Sequence, residues 1–500
     1  MVDAERFLKL HYIKLGLDYL ISHFLSAADI SPCFLYHLFL ILLLLLSLGH
    51  LCLNSALFFF LSVVVYLLIH PQPVYLMDFA CYKPSHSTQV FMSMADFSTF
   101  FSSENLDFQR RIIERSGLGD ATYLPDVVVR AASYSHVAEA TKEARAVMLC
   151  PIEALLKKTQ VKPKDIDILI VNCGLFSPTP SLSSMVVNHF KLRHDVITYN
   201  LGGMGCSASP IAIDLTKDLL QLRRESYALV VSIENIAMTG RYDGRNCSML
   251  MTNCLFRMGG AAMLLTNKRG ERRRSKYQLM HVVRTHTGAD DRSYACVTQR
   301  EDEQGNLGIS LSKDLMAVAA DALRLNLTAL GPLVLPASEW LAYAAAAWLK
   351  KAPAVPNFKR AAEHVCVHTG GRAVVEEVGK RLGLTDWQME PTRMTLYRFG
   401  NTSSSSVWYG LAYAEAKGRV RRGDRVWQVA LGGGFKCNSA VWRAVRSVAP
   451  EELTVEKGNP WMDEIGKFPI ENAGVQPRTE LGLRLVNFSS REKLSCQRSV

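Results

Sequence analysis

The sequence predicts an α/β domain with covered sheets, carried behind a membrane hairpin. Three observations predict it. From about residue 78, short β-branched runs alternate with amphipathic helical stretches, the pattern of strands buried under helices. Between Asp29 and Asp78 the chain has no Asp, Glu, Lys or Arg, and this stretch accounts for much of the high hydrophobic content of 49%. A chain of 500 residues with 21% charged side chains is also too long for one small core.

The elements follow in chain order. Residues 1–33 include "ERFLKLHYIKLGLDYLISHFLSAADI", which mixes apolar and charged residues as an interfacial amphipathic helix does. Residues 34–71 read as two membrane helices, near 34–51 and 55–71, with "GHLCLNS" as the turn. About 20 helical residues cross a ~30 Å hydrocarbon core, so the stretch suits two crossings better than one. A cleaved signal peptide would be shorter and would begin at the first residues. The hairpin leaves Arg6, Lys9, Lys14 and Lys83 on one side, which points to the cytosol. Twelve cysteines without a CxxC pair read as reduced thiols, in keeping with that compartment.

Strands are expected in "DIDILIVNCG" (165–174), "SYALVVSIEN" (226–235), "GAAMLLTN" (260–267), "LMHVVRTHTG" (279–288), "HVCVHTGG" (364–371) and "DRVWQVALGGG" (424–434). Helices are expected in "EATKEARAVMLCPIEALLKKT", "IAIDLTKDLLQLRR", "LSKDLMAVAADALRLNL" and "GGRAVVEEVGKRLG". The basic run "KRGERRRSK" (268–276) is the natural seam between a first half at 78–270 and a second at 277–450. It reads as a solvated connector, with contact to coenzyme or membrane phosphate as the other reading. Residues 451–500 form an extension whose last roughly 30 residues are polar and aperiodic, a poorly ordered tail. The formal net charge of +11 suits anionic lipid or a phosphate-bearing coenzyme, and no nucleic-acid module accompanies it.

Three stretches carry chemistry. In "NLGGMGCSASP" (200–210) glycines allow a tight turn directly before a helix, which places Cys206 at a helix N-terminus. That position lowers a thiol's pKa and favours the nucleophilic thiolate, while inert packing is the alternative. In "EHVCVHTGG", alternation puts His364, Cys366 and His368 on one strand face. They are metal ligands, satisfied core residues, or, for His368, a group aimed from the strand tip into a site. Same-face neighbours point parallel rather than inward, and no HExxH pattern is present, so no metal is expected. In "RFGNTSSSSVW", Asn401 stands at a helix entrance, as a catalytic group, an N-cap or, in a luminal domain, a glycan acceptor.

Cys, His and Asn in that order resemble the catalytic set of the thiolase-fold condensing enzymes. Longer strings resemble the plant 3-ketoacyl-CoA synthases, membrane condensing enzymes of very-long-chain fatty acid elongation. Among them are "PVYLMDFACYKP" (73–84), "SPTPSLSSMVVNHFKLR" (177–193), "NLGGMGCSA" (200–208), "NCLFRMGGAA" (253–262), "RTHTGADD" (284–291), "HTGGRAV" (368–374), "RFGNTSSSS" (398–406) and "GFKCNSAVW" (434–442). The resemblance implies a thiolase-like fold of two βαβ-rich halves, layered αβαβα. It implies decarboxylative Claisen condensation of a long-chain acyl-CoA with malonyl-CoA, with Cys206 as nucleophile and His368 and Asn401 completing the set. His286 and His364 match further family histidines, and Gly205, Gly433 and Gly434 are the expected oxyanion and substrate-binding backbone. The implied setting is the endoplasmic reticulum membrane, in wax and cuticular lipid synthesis, with the catalytic domain facing the cytosol. No cofactor is expected. A homodimer, membrane lipid and the reductases and dehydratase of an elongase complex are the expected partners.

Two departures stand out: Ser209-Pro210 after "CSA", and the polar "TGRYDGRNCSM" (239–249). Neither removes a proposed catalytic group. A degradative thiolase would need a second cysteine with glycine framing that Cys437 lacks, a type III polyketide synthase is normally soluble, and a silent elongase scaffold needs none of the three catalytic residues.

Overall fold

The computed structural model describes residues 71–84, 89–91, 103–119, 121–125, 127–128, 136–239, 242, 246–348 and 356–470. Residues 1–33, all but the last residue of the expected hairpin, and the tail after 470 lie outside them. The described residues fall in two compact units. One spans Pro73–Leu327 and residues from Ala362 onward and holds the sheet. The other includes Thr328–Ala361, where the helix Ala337–Trp348 is tied to the following segment by an Arg360–Glu339 ion pair of 2.7 Å.

Long apolar runs covered on both faces make the sheet's centre. Its strands are β1 (Tyr75–Cys81), β2 (Ile166–Cys173), β3 (Ile197–Gly202), β4 (Tyr227–Ile233), β5 (Gly260–Thr266), β6 (Tyr277–His286), β7 (His364–Val367), β8 (Arg425–Gly432) and β9 (Lys436–Ala444). They lie in the order β7-β8-β9-β6-β1-β5-β4-β2-β3. Every residue of β4 and β5 is buried, as near-continuous Val, Leu and Ala runs require. Strands β2, β3 and β4 are parallel, as are β7 and β8, while β5, β1, β6 and β9 pair antiparallel with their neighbours. The sheet is mixed, as an α/β fold with two βαβ-rich stretches requires.

Four helices matter for the site: α1 (His136–Thr159), α2 (Ala208–Leu222), α3 (Asp386–Phe399) and α4 (Ser406–Ala416). All residues of α4 are buried, the mark of a helix enclosed between layers rather than lying on a surface. The helix expected at 311–327 runs over Leu315–Val334, and it is long and apolar enough to cross a membrane. Its Asn326 is nonetheless buried and donates to the carbonyls of Val283 and Cys437 at 3.2 and 2.8 Å, which packs that part of the helix on β6 and β9. Eight described cysteines are free thiols; Cys247 is disulfide-bonded, a departure from the expectation that all are reduced.

Strands β1 and β6 meet over only two residue pairs, Tyr75–Gln278 and Leu76–Tyr277. A buried charge cluster reinforces that junction. Lys276 Nζ lies 2.8 Å from Glu415 and 2.9 Å from Asp78, Lys158 Nζ lies 2.8 Å from Asp78, and the Tyr277 hydroxyl donates to Glu415 at 2.8 Å. Burial works against an ionised Asp78, yet Lys158 and Lys276 together hold its carboxyl at about 2. The cluster thus ties β1, β6, α1 and α4. Lys276, the last residue of the expected basic connector, is a core residue rather than a solvated one.

Removing one partner strands a buried charge, which costs about 3–5 kcal/mol. Lys276→Met is expected to lower the stability of the detergent-solubilised protein by that amount in urea unfolding, with partial recovery on adding Glu415→Gln. A Lys276→Met protein as stable as wild type would show that the cluster does not hold the junction.

Candidate active site

The nucleophile turn is built by close approach. After β3 the chain enters a 3-10 turn, Gly205–Ser207, that runs straight into α2. Gly205 has φ +66, and a Cβ there would stand 2.8 Å from the Gly433 nitrogen, so the turn presses against the glycine loop after β8. Pro210 is the third residue of α2, where no intrahelical N–H is lost. Ser209 is buried, and its hydroxyl accepts from Trp408 Nε1 at 2.7 Å. The Ser209-Pro210 departure therefore fastens α2 to α4. In the polar segment at 239–249, Tyr242 donates to Asp302 at 2.9 Å and accepts from Asn246 N at 3.1 Å.

Cys206 sits at a helix entrance as expected, but not as a thiolate. Burial pushes its thiol up to about 12, with the Ser403 hydroxyl opposing the rise and the Glu234 carboxylate adding to it. Desolvation of the charged form outweighs the helix dipole here.

His368 follows the last residue of β7, and its backbone N–H donates to Val429 O at 2.8 Å. Its Nδ1 lies 2.9 Å from Ser406 Oγ, the first residue of α4. That hydroxyl also accepts from Thr369 N–H at 3.4 Å, so Ser406 holds both the ring and the backbone after it. Burial lowers the imidazole to about 4, against a hydrogen bond with the Ser403 backbone that raises it. His368 is thus a neutral imidazole whose ring is oriented through Nδ1.

Asn401 is placed by the residue before it. Gly400 has φ +68 and ψ −152, and a Cβ there would stand 2.4 Å from Arg257 Cγ. Asn401 N donates to Leu255 O at 3.0 Å and its carbonyl accepts from Arg257 N at 2.9 Å. Its side-chain oxygen accepts from Ser403 N at 2.8 Å, which leaves the amide N–H groups as donors. That bond stands one residue ahead of the N-cap of the 3-10 turn Ser403–Ser405, which is Thr402, and at 3% exposure Asn401 is no glycan acceptor.

Two residues of this site carry no expectation from sequence. Ser403 holds φ +55, a strained value for a residue with a side chain. Its hydroxyl donates to Glu234 Oε2 at 2.8 Å, its backbone N–H donates to Asn401 Oδ1 at 2.8 Å, and its turn packs against the Gly205–Ser207 turn. Glu234, just past the end of β4, is buried; its Oε1 accepts from the N–H groups of Gly174, Leu175 and Asn235 at 3.1, 2.9 and 3.2 Å. Burial raises its pKa despite those donors. An acid closing the largely apolar run "YALVVSI" was the available signal.

The other expected residues lie apart. His364 begins β7, about 13 Å from His368 at ~3.3 Å per residue. It is buried, bonds Asp424 through Nε2 at 3.0 Å and packs on Trp387. His286 is exposed at the end of β6, and its Nε2 lies 2.8 Å from Gly434 O. Lys436 donates to Gly433 O at 2.7 Å, so the glycine loop beside Cys206 is pinned from outside by two side chains. Among the described residues no three His, Cys, Asp or Glu side chains are grouped to hold a metal ion.

Comparison with known proteins places this geometry. Residues 66–352 match the family described as FAE1/Type III polyketide synthase-like protein. Residues 359–444 match the C-terminal region of 3-oxoacyl-[acyl-carrier-protein (ACP)] synthase III. The chain is 54% identical to 3-ketoacyl-CoA synthase 11 of Arabidopsis thaliana, over 94% of this chain and 95% of that one. It is 52% identical to 3-ketoacyl-CoA synthase 2 of the same plant, over 94% and 93%. It is 50% identical to the probable 3-ketoacyl-CoA synthase 20 of Oryza sativa subsp. japonica, over 85% and 83%. The crystal structure of 1,3,6,8-tetrahydroxynaphthalene synthase from Streptomyces coelicolor A3(2), a bacterial type III polyketide synthase, superposes with a TM-score of 0.60 at 17% identity. It covers 74% of this chain and 99% of that one, and shows the thiolase-like fold.

A neutral buried imidazole has a pH signature. His368 binds its proton near pH 6.5 when unfolded and only near 4 when folded, so its contribution is present above 6.5 and lost as pH falls toward 4. The expected slope is roughly 1.4 kcal/mol per pH unit. Between pH 6.5 and 4 wild type is expected to lose stability more steeply than His368→Gln in thermal unfolding, and parallel curves would contradict the buried neutral ring.

Proposed function

The chain belongs to the 3-ketoacyl-CoA synthase family, and from that premise we propose how its residues perform the condensation. The enzyme is an acyltransferase that joins a long-chain acyl-CoA to the two-carbon unit of malonyl-CoA, giving 3-oxoacyl-CoA, CoA and CO2. The observation that carries the residue roles is the packing of the Cys206 turn, Gly205–Ser207, against the turn Ser403–Ser405, whose first N–H is bound by Asn401 and whose following residue, Ser406, bonds His368.

Acyl-CoA transfers its acyl group to Cys206 Sγ, dividing one difficult step into two easier ones. Malonyl-CoA then loses CO2 and leaves an enolate whose oxygen carries the developing charge. His368 Nε2–H and the Asn401 amide are the donors for it, in a dry pocket where such preorganised bonds are typically worth several kcal/mol. The enolate carbon attacks the acyl thioester. The backbone N–H of Cys206, with one from the Gly433–Gly434 loop, receives the tetrahedral oxyanion, and Gly205 makes room for that loop. Loss of CO2 supplies the carbanion, so the reaction needs no resident cofactor.

The remaining assignments rest on chemistry and surface. The charge-free stretch before Asp78 supports attachment to the endoplasmic reticulum membrane with the catalytic domain in the cytosol. Long acyl chains partition there at about 0.8 kcal/mol per buried CH2, so substrate, lipid and enzyme meet at one surface. Strand β3 ends the described sheet, with Tyr199 41% exposed, which supports a homodimer built by pairing two such edges. The product must be reduced and dehydrated before another round, which makes reductases and a dehydratase the natural companions.

Microsomes carrying the enzyme are expected to incorporate radiolabelled malonyl-CoA into product two carbons longer than one member of an acyl-CoA panel, and Cys206→Ala to fall to background. Equal incorporation by the two proteins would remove Cys206 as nucleophile.

A further inference from the structure

The basic run at 268–276 takes no part in the condensation, yet its place in the fold is well defined. It joins β5 to β6 across the start of β1. Tyr75, the first residue of β1, pairs with Thr266, the last of β5, and Leu76 pairs with Tyr277, the first of β6. Tyr227, where β4 starts, also pairs with Thr266. The run is fastened along this edge of the sheet. Lys276 N–H donates to the carbonyls of Leu76 and Met77 at 3.0 and 3.1 Å, Lys268 Nζ stands 4.0 Å from the centre of the Tyr227 ring, and Arg274 donates to Thr159 O at 2.6 Å. Glu271, the acid of the run, is occupied by Arg274 and by the Tyr227 hydroxyl, both at 2.9 Å.

Arginines are left facing water. Arg269, Arg272 and Arg273, in the 3-10 turn of the run, are exposed, and so is Arg224, just ahead of β4. Among the described residues none of these four has a carboxylate partner. Asp165 and Glu225 lie at the same edge and are matched in number by Lys162 and Lys164, ahead of β2, whose Ile166 pairs with Tyr227. Leu222, two residues from Arg224 at the end of α2, is 82% exposed. The covalent chain decides which surface lies beside this edge. The second expected membrane helix ends near residue 71, and the four residues from there to Tyr75 span at most about 14 Å. A bilayer holding that helix has its headgroups within reach of the arginines.

We propose that this edge of the sheet is a docking face for anionic lipid headgroups, with Arg224, Arg269, Arg272 and Arg273 on phosphate and Leu222 in the interface beside them. This rests on the reading of residues 34–71 as a membrane anchor. Cations next to a membrane helix attract the anionic leaflet, and each one removed lowers that attraction about fivefold. The face is remote from the chemistry. Strand β4 runs about 20 Å from Tyr227 to Ile233 at ~3.3 Å per residue, and the Cys206 turn follows the far end of the parallel strand β3. Charge changes at the arginines therefore leave the catalytic groups in place.

The test places the full-length enzyme in nanodiscs of phosphatidylcholine, alone or mixed with phosphatidylserine, and follows amide hydrogen exchange over residues 220–226 and 267–275. Both segments are expected to exchange at least about fivefold more slowly with phosphatidylserine, and to lose that protection near 1 M NaCl, where the Debye length falls to about 3 Å. The triple variant Arg269→Glu, Arg272→Glu, Arg273→Glu is expected to show no lipid-dependent protection while keeping wild-type kcat and KM, which also reports a folded protein. CoA added to phosphatidylcholine nanodiscs supplies phosphate without an anionic surface and is expected to leave exchange unchanged. Equal exchange in the two lipids, by a protein that resists alkaline carbonate extraction, would overturn the proposal. Protection by CoA, with a raised KM for acyl-CoA in the triple variant, would overturn it in favour of a coenzyme subsite. Release of the wild-type chain by carbonate would instead overturn the membrane anchor beneath it.

Discussion

The site depends on one short loop, Gly400 to Ser406, held in a conformation that only the surrounding packing makes tolerable. Gly400 occupies backbone space closed to other residues, and Ser403 lies in the left-handed region. In return, seven consecutive residues supply the Asn401 amide, the Ser403 hydroxyl against the Glu234 carboxylate, and the Ser406 hydroxyl against Nδ1 of His368. Helix α4 begins at the end of that loop and is buried along its whole length. Trp408 on α4 bonds Ser209 on α2, so the element carrying the donors and the element carrying the nucleophile are fixed to each other. Shift the loop, and all three catalytic groups lose their common neighbour.

Burial is the second organising constraint, and it acts oppositely on acids and bases. The same dry surroundings lift the thiol of Cys206 and the carboxyl of Glu234 and lower the imidazole of His368. The resting site therefore holds a thiol and a neutral histidine rather than an ion pair. That arrangement suits an enolate reaction: a neutral N–H stabilises developing negative charge without delivering a full proton to the carbanion.

Much of this fold was legible in the residues. Continuous Val, Leu and Ile runs identified β2, β4 and β5, and the His-Val-Cys-Val-His alternation identified β7 with His368 at its tip. Strand β3, "ITYNLG", escaped because an edge strand with exposed side chains lacks both apolar run and clean alternation. Strands β1 and β9 escaped because Asp78, Lys436, Asn438 and Ser439 interrupt their apolar pattern, and those polar groups are satisfied only by partners distant in sequence. Lys276 was hidden in the same way, as the buried end of an exposed basic run. In the site, Cys206, His368 and Asn401 were found by residue type and family strings. The thiol's protonation state was not, because a helix N-terminus is visible in sequence whereas the depth of burial around it is not. Ser403 lay within a serine run that reads as a helix cap, and nothing local marks its positive φ.

The central claim is that this buried, polar-lined turn makes Cys206 the residue that carries the acyl chain. The most direct measurement is tandem mass spectrometry of the enzyme digested after incubation with acyl-CoA and no malonyl-CoA. The account predicts an acyl thioester on the peptide containing Cys206, discharged when malonyl-CoA is added before digestion. An acyl group on any other residue, or an adduct on Cys206 that malonyl-CoA fails to discharge, would contradict it.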